Sequence, residues 1–115
     1  MKEMSLVLEV FEVEESARFL SALSIGLLVS VQRGAITLEE AERLLFSPRS
    51  SRVLDEKGIP SEIGELIMDC CELGDVLDLV PSKFDNNVQI LLDKFVDFLK
   101  ASKSRNTDLN FVELK

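Results

Sequence analysis

The chain has 115 residues, of which 46 % are hydrophobic, 30 % are charged and none is histidine. This length and composition are typical of one folded globular domain, so we expect residues 1–115 to form a single domain. The absence of histidine removes the commonest general base and excludes every catalytic triad or zinc motif that requires one. We therefore expect no enzymatic activity, no cofactor and no metal.

The net charge is −8 at pH 7, with a pI near 4.5. This balance argues against binding to nucleic acid or to an anionic membrane, because both need clustered basic side chains, and it favours attraction to basic partners. Cys70 and Cys71 are adjacent and cannot form a disulfide of ordinary geometry. Glu9 and Glu12 interrupt the apolar run that a secretory signal needs. These features predict a cytoplasmic protein.

Residues 19–32 carry no charge and lie between Arg18 and Arg33. We predict a central helix over residues 14–33 that its neighbours cover, since a helix without a charged face is poorly suited to a water-exposed position. One apolar stripe comprises Phe19, Leu20, Leu23, Leu27, Leu28 and Val31, and the opposite side is small, with Ser21, Ala22, Ser24, Gly26 and Ser30. The spacing of Ala22, Gly26 and Ser30 predicts a close helix crossing, either within the chain or with a second copy.

The remaining elements follow from caps and helical periodicity. Residues 37–40 form a capping-box pattern that opens a second helix, and Pro48 begins a short third one. Two longer helices are predicted over residues 61–73 and 82–103. The expected fold is mainly all-α, a compact bundle of four to six helices around the helix 14–33, with a possible short N-terminal strand. Residues 1–13 would form that strand or an arm, and residues 104–115 a flexible tail or a partner of the strand.

Residues 61–81 contain six acids and no base. Four of them recur at helical spacing and predict one acidic face, which the other two prolong if the helix continues: Glu62, Glu65, Asp69 and Glu72, then Asp75 and Asp78. Like charges at this spacing slightly destabilise a helix, and solubility alone is usually met with mixed signs. The face is therefore either a docking surface for a basic protein or an ordinary solvated surface. Its acids are too spread out to share one metal ion.

On a helix, the two cysteines point about 100° apart. We expect Cys70 to face the core and Cys71 to lie at its rim, with neighbouring acids raising the pKa of the thiols. This favours structural cysteines over a redox pair.

Several short motifs occur in an order that resembles that of a known family. Arg33-Gly34 ends the apolar helix, and Ile36-Thr-Leu-Glu-Glu-Ala-Glu42, Leu45-Phe46-Ser47-Pro48 and Cys71-Glu-Leu-Gly-Asp75 follow. Over about residues 16–80 the chain resembles a family of short, uncharacterised bacterial helical proteins that carry only the label of a domain of unknown function. This resemblance implies a helical fold and no catalytic residues. In size and acidity, the chain is also similar to bacterial immunity proteins, which neutralise a basic nuclease toxin by charge-complementary docking.

Two hypotheses of function follow. In the first, the chain is a non-enzymatic interaction protein whose acidic helix face docks a basic partner such as a nuclease toxin. In the alternative, it is a structural homodimer that associates through helix 82–103 or through the small-residue stripe. A small helical enzyme subunit is a third option, but it requires a site without histidine that the sequence does not locate.

Overall fold

The computed structural model describes residues 6–8, 13–102 and 112–114. This part of the chain holds six α-helices, and a one-turn 3-10 helix, Pro81–Lys83, precedes the last of them. The α-helices are α1 (Val13–Gln32), α2 (Leu38–Leu44), α3 (Pro48–Glu56), α4 (Ser61–Cys71), α5 (Leu73–Leu79) and α6 (Phe84–Ala101). The predicted all-α bundle is thus confirmed.

Two short strands bring the ends of the chain together. Strand β1 (Leu6–Leu8) pairs antiparallel with β2 (Val112–Leu114), with Leu6 opposite Leu114. The predicted N-terminal strand corresponds to β1, and its partner comes from the C-terminal segment. The rest of the predicted arm and of the predicted tail lies outside the described residues.

The ends of several helices follow local chemistry. The hydroxyl of Thr37 accepts a hydrogen bond from the backbone N–H of Glu40 at 3.1 Å, which caps α2 as the sequence predicts. Gly34 and Gly58 follow α1 and α3 with φ angles of 76° and 80°. Residues other than glycine are strained in this left-handed region, so glycine is favoured at both positions.

The core lies where α1, α4 and α6 meet, and α5 and the residues after α2 close its sides. Its largest fully buried side chains are Phe46, Phe95, Leu28, Ile63, Ile67, Leu73 and Val88. On α4 and α6 the buried positions recur at helical spacing, because each of these helices has a charged side that can only face water.

Helix α1 buries residues from both of the sides that its sequence pattern distinguishes. Ser21 and Ser24 of the small side are fully buried, whereas Leu23 of the apolar stripe is 37 % exposed. Because the residues of this helix beyond Arg18 are apolar or small all around its circumference, the sequence pattern does not determine which side faces the core. The Ser21 hydroxyl donates to the carbonyl of Ala17 at 2.8 Å. The Ser24 hydroxyl finds no hydrogen-bond partner among the described residues.

The predicted close crossing at the small-residue stripe is not formed within the described chain. Ala22 and Gly26 are exposed, and a Cβ added to Gly26 would meet no atom within 4 Å. The hydroxyl of Ser30 instead donates to the carbonyl of Gly26 at 2.7 Å, within the same helix. Among the described residues the intrachain version of this prediction is therefore not met, and the version with a second copy stays a prediction.

Arg18 joins the two longest helices. Its Nη1 atom donates to the carbonyl oxygens of Leu99 and Ser102, at 2.8 and 2.6 Å, and to the hydroxyl of Ser102 at 2.8 Å. These oxygens lie at the C-terminal end of α6, where carbonyl groups lack helical partners and the helix dipole favours a positive charge. The half-buried guanidinium of Arg18 therefore caps α6 from α1.

Replacing Arg18 by methionine tests this contact, because methionine keeps much of the aliphatic packing and removes every donor. We expect Arg18→Met to lower the free energy of unfolding by about 1–3 kcal/mol, as for hydrogen bonds to charged groups, measured by chemical denaturation. Arg33→Met, at an exposed position after α1, is the control and should change it little. Equal stability of the two variants would contradict the capping role.

Candidate functional site

Helix α4 separates apolar from acidic side chains. Ile63, Leu66, Ile67 and Cys70 are almost completely buried. The acids predicted from the sequence, Glu62, Glu65, Asp69 and Glu72, are all exposed. We call these four residues the α4 acidic face.

The carboxylates of the α4 acidic face are not paired with basic side chains among the described residues. In the part of the chain that the structure describes, none of its four carboxylates forms an ion pair or a side-chain hydrogen bond. Exposed like charges at helical spacing repel each other weakly. The face therefore keeps its negative potential at the protein surface, where it can attract positive charge.

The predicted acids beyond Glu72 lie past the end of α4. Helix α4 ends at Cys71, Glu72 caps it, and α5 begins at Leu73 as a separate helix. Asp75 and Asp78 are exposed on α5. These two predicted site residues thus lie on a separate helix from the α4 acidic face.

Asp75 and Asp78 line a groove of about 530 Å³ between α2 and α5. Glu39 and Glu42 of α2 line the same groove, and no basic side chain does. Neither glutamate belongs to the acidic face predicted from the sequence. Their spacing of three residues on α2 shows that they share a helical side, but only the tertiary packing of α2 beside α5 brings them to Asp75 and Asp78.

A second groove, of about 370 Å³, separates α3 from α4. Glu65 and Asp69 of the acidic face line it, and α3 contributes Arg52 and Asp55. Ile59, Gly64 and Met68 supply its apolar lining. The hydroxyl of Ser51 donates to the carbonyl of Gly64 at 3.1 Å and so holds α3 to α4 beside the groove.

The two cysteines occupy the positions predicted for them. Cys70 is fully buried, and burial, with Cys71 and Asp69 beside it, strongly raises the pKa of its thiol. Cys71 is half-buried, and its thiol donates to the carbonyl of Ile67 at 3.2 Å. Burial raises the pKa of the Cys71 thiol too, and Glu42 is the next cause. The prediction that neighbouring acids raise these pKa values is confirmed, and raised values make both thiols weak nucleophiles at neutral pH.

A comparison with known protein families identifies the family of the chain. A family model described as a protein of unknown function, DUF3969, matches residues 11–113. The chain belongs to the DUF3969 family. The predicted resemblance to an uncharacterised family is therefore confirmed, over a longer segment than residues 16–80.

Membership of the DUF3969 family assigns no activity to any residue. No curated protein and no solved structure matches the chain.

Within residues 13–102, no three cysteine, aspartate or glutamate side chains are grouped so that they could hold a metal ion. None of the described helices is both long and apolar enough to cross a membrane.

The contribution of Glu42 to the Cys71 pKa can be measured by alkylation. Glu42→Gln removes a negative charge beside the thiol, so the pKa falls and more thiolate is present at pH 8. We expect iodoacetamide to modify Cys71 faster by roughly two- to fivefold, followed by mass spectrometry of the folded protein. Glu39→Gln changes the same groove without removing a charge that raises this pKa. If both variants accelerate alkylation equally, the effect does not come from Glu42.

Proposed function

We propose that this chain is a cytoplasmic, non-enzymatic interaction protein that docks a basic protein partner on the α4 acidic face. The docking surface extends to Asp75 and Asp78 through the groove between α2 and α5. The partner is a basic toxin such as a nuclease, which the chain neutralises in the manner of bacterial immunity proteins. The acidity of the chain also makes nucleic acid and anionic membranes poor partners.

One observation carries the proposal. All six predicted acids are exposed, and none is paired with a basic side chain in the described part of the chain. Charges that stabilise a fold are usually paired or hydrogen-bonded, whereas charges that steer association remain at the surface. The stretch 61–81 also contains no lysine or arginine that would weaken its potential.

The non-enzymatic part of the proposal rests on the available nucleophiles and bases. The chain contains no histidine. Burial raises the pKa of both thiols, which lowers the thiolate fraction on which cysteine chemistry depends. Binding by charge needs none of these groups.

Capture from the source cell tests the docking face. Immobilised full-length chain, exposed to lysate at low salt, should retain a basic protein that elutes as salt screens the attraction. We expect the triple variant Glu65→Lys, Asp69→Lys, Glu72→Lys to bind that purified protein roughly tenfold or more weakly, with a smaller dependence on salt.

The control reverses the same number of charges elsewhere. Glu56, Asp85 and Asp97 are exposed and lie outside residues 61–81. Changing all three to lysine gives the same net charge as the first triple variant, so the control should keep most of the affinity. If the two triple variants bind alike, total charge and not the α4 acidic face is responsible, and the proposal fails.

The structural homodimer remains the second candidate because α1 exposes an uncharged strip. Ala22, Leu23 and Gly26 are exposed on the outer side of this helix, and no described atom would contact a Cβ at Gly26. Sedimentation at several concentrations separates the two candidates. A strict monomer at every concentration removes the homodimer, and a stable dimer or a monomer–dimer transition supports it.

A further inference from the structure

The groove between α3 and α4 is an apolar opening beside the α4 acidic face. Met68 is 38 % exposed at this groove, although its neighbours Ile67 and Leu66 are buried in the core. Methionine side chains adapt their shape to an incoming group and recur at binding surfaces. Ile59 adds apolar surface that is itself buried, so an occupant would contact the edge of the core.

Gly64 keeps this groove open. A Cβ added there would have Ser51 Oγ as its nearest neighbour, at 3.7 Å, which is an ordinary contact. No close approach within the described chain therefore requires glycine at this position. A glycine inside a helix destabilises it by up to about 1 kcal/mol relative to alanine. The chain thus lacks a side chain where one would fit and would favour folding.

The charges around the groove identify its occupant. Glu65 and Asp69 on α4 and Asp55 on α3 face a single base, Arg52. A second copy related by a two-fold axis would bring its own Glu65 and Asp69 against this surface, and like charges placed together disfavour association. A basic partner meets no such repulsion.

We propose that the α3–α4 groove binds one apolar side chain of the basic partner, flanked by lysine or arginine residues that pair with Glu65 and Asp69. This inference rests on the proposed docking function and adds an anchor to it. The groove volume of about 370 Å³ lies at the small end of ligand-binding sites. Interfaces commonly combine such a buried apolar anchor with charges at the rim.

Two capped peptides, Lys-Lys-Phe-Lys-Lys and Lys-Lys-Ser-Lys-Lys, serve as the probes. They carry equal charge and differ only in the central side chain. Each is titrated at low salt into the full-length ¹⁵N-labelled chain, and dissociation constants are taken from amide shifts. We expect the phenylalanine peptide to bind roughly tenfold more tightly, because it alone buries a large apolar group. Its additional shifts should centre on Ile59, Gly64 and Met68.

The variant Gly64→Ala should have opposite effects on peptide binding and on the stability of the fold. The added methyl group occupies part of the groove and should reduce the preference for the phenylalanine peptide by roughly threefold or more, while the free energy of unfolding increases. Gly26→Ala is the matched control, since this residue is also inside a helix but on the exposed side of α1. It should increase stability without changing either peptide affinity.

The outcomes distinguish this inference from the proposed function. If both peptides bind equally, with shifts restricted to the exposed acids of α4, charge docking stands and the apolar anchor is wrong. Additional shifts at Leu77 and Thr37 would place the anchor in the α2–α5 groove and overturn the inference. Shifts at Met68 that grow with protein concentration before any peptide is added would make a second copy the occupant. If neither peptide binds, the docking function itself loses its support.

Discussion

Burial of the apolar side of α4 determines where the charge of this protein lies. Burying a large aliphatic side chain is worth about 1.5–3 kcal/mol, and Ile63, Leu66 and Ile67 are all almost completely buried. Repulsion between like charges on one helix amounts to a few tenths of a kcal/mol per pair. The apolar contacts with α1 and α6 therefore fix the orientation of the helix, and the acids face water as a consequence.

This orientation keeps the side chains that stabilise the fold apart from the side chains proposed to bind a partner. The contacts among α1, α4 and α6 form the core, and Arg18 of α1 adds a cap at the end of α6. Both acidic grooves lie at the edge of that core, where α3 and α2 approach α4 and α5. A surface of this kind can change its charges without rebuilding the interior. Membership of the DUF3969 family adds no further constraint on what binds there.

The sequence predicts the features that depend on neighbouring residues. The Thr37 cap, the helix end at Gly34 and the exposed acids of α4 follow from local hydrogen bonding, backbone conformation and amphipathic spacing. The burial of Ser24 and the exposure of Leu23 could not be predicted, because both sides of the helix lack charge over residues 19–32. The two grooves form where separate helices pack against each other, as at Gly64 of α4 beside Ser51 of α3. The spacing of residues within one helix does not predict such contacts.

The central claim is that the α4 acidic face does not help the isolated chain to fold. The unfolding free energy of the double variant Glu65→Gln, Asp69→Asn, compared with that of the unaltered chain at low and at high salt, tests this most directly. The account predicts that the variant is more stable by about 0.5 kcal/mol at low salt, because like-charge pairs are removed, and that the difference shrinks at high salt. A variant that is less stable at low salt would show that these carboxylates hold the fold together, and would contradict the account.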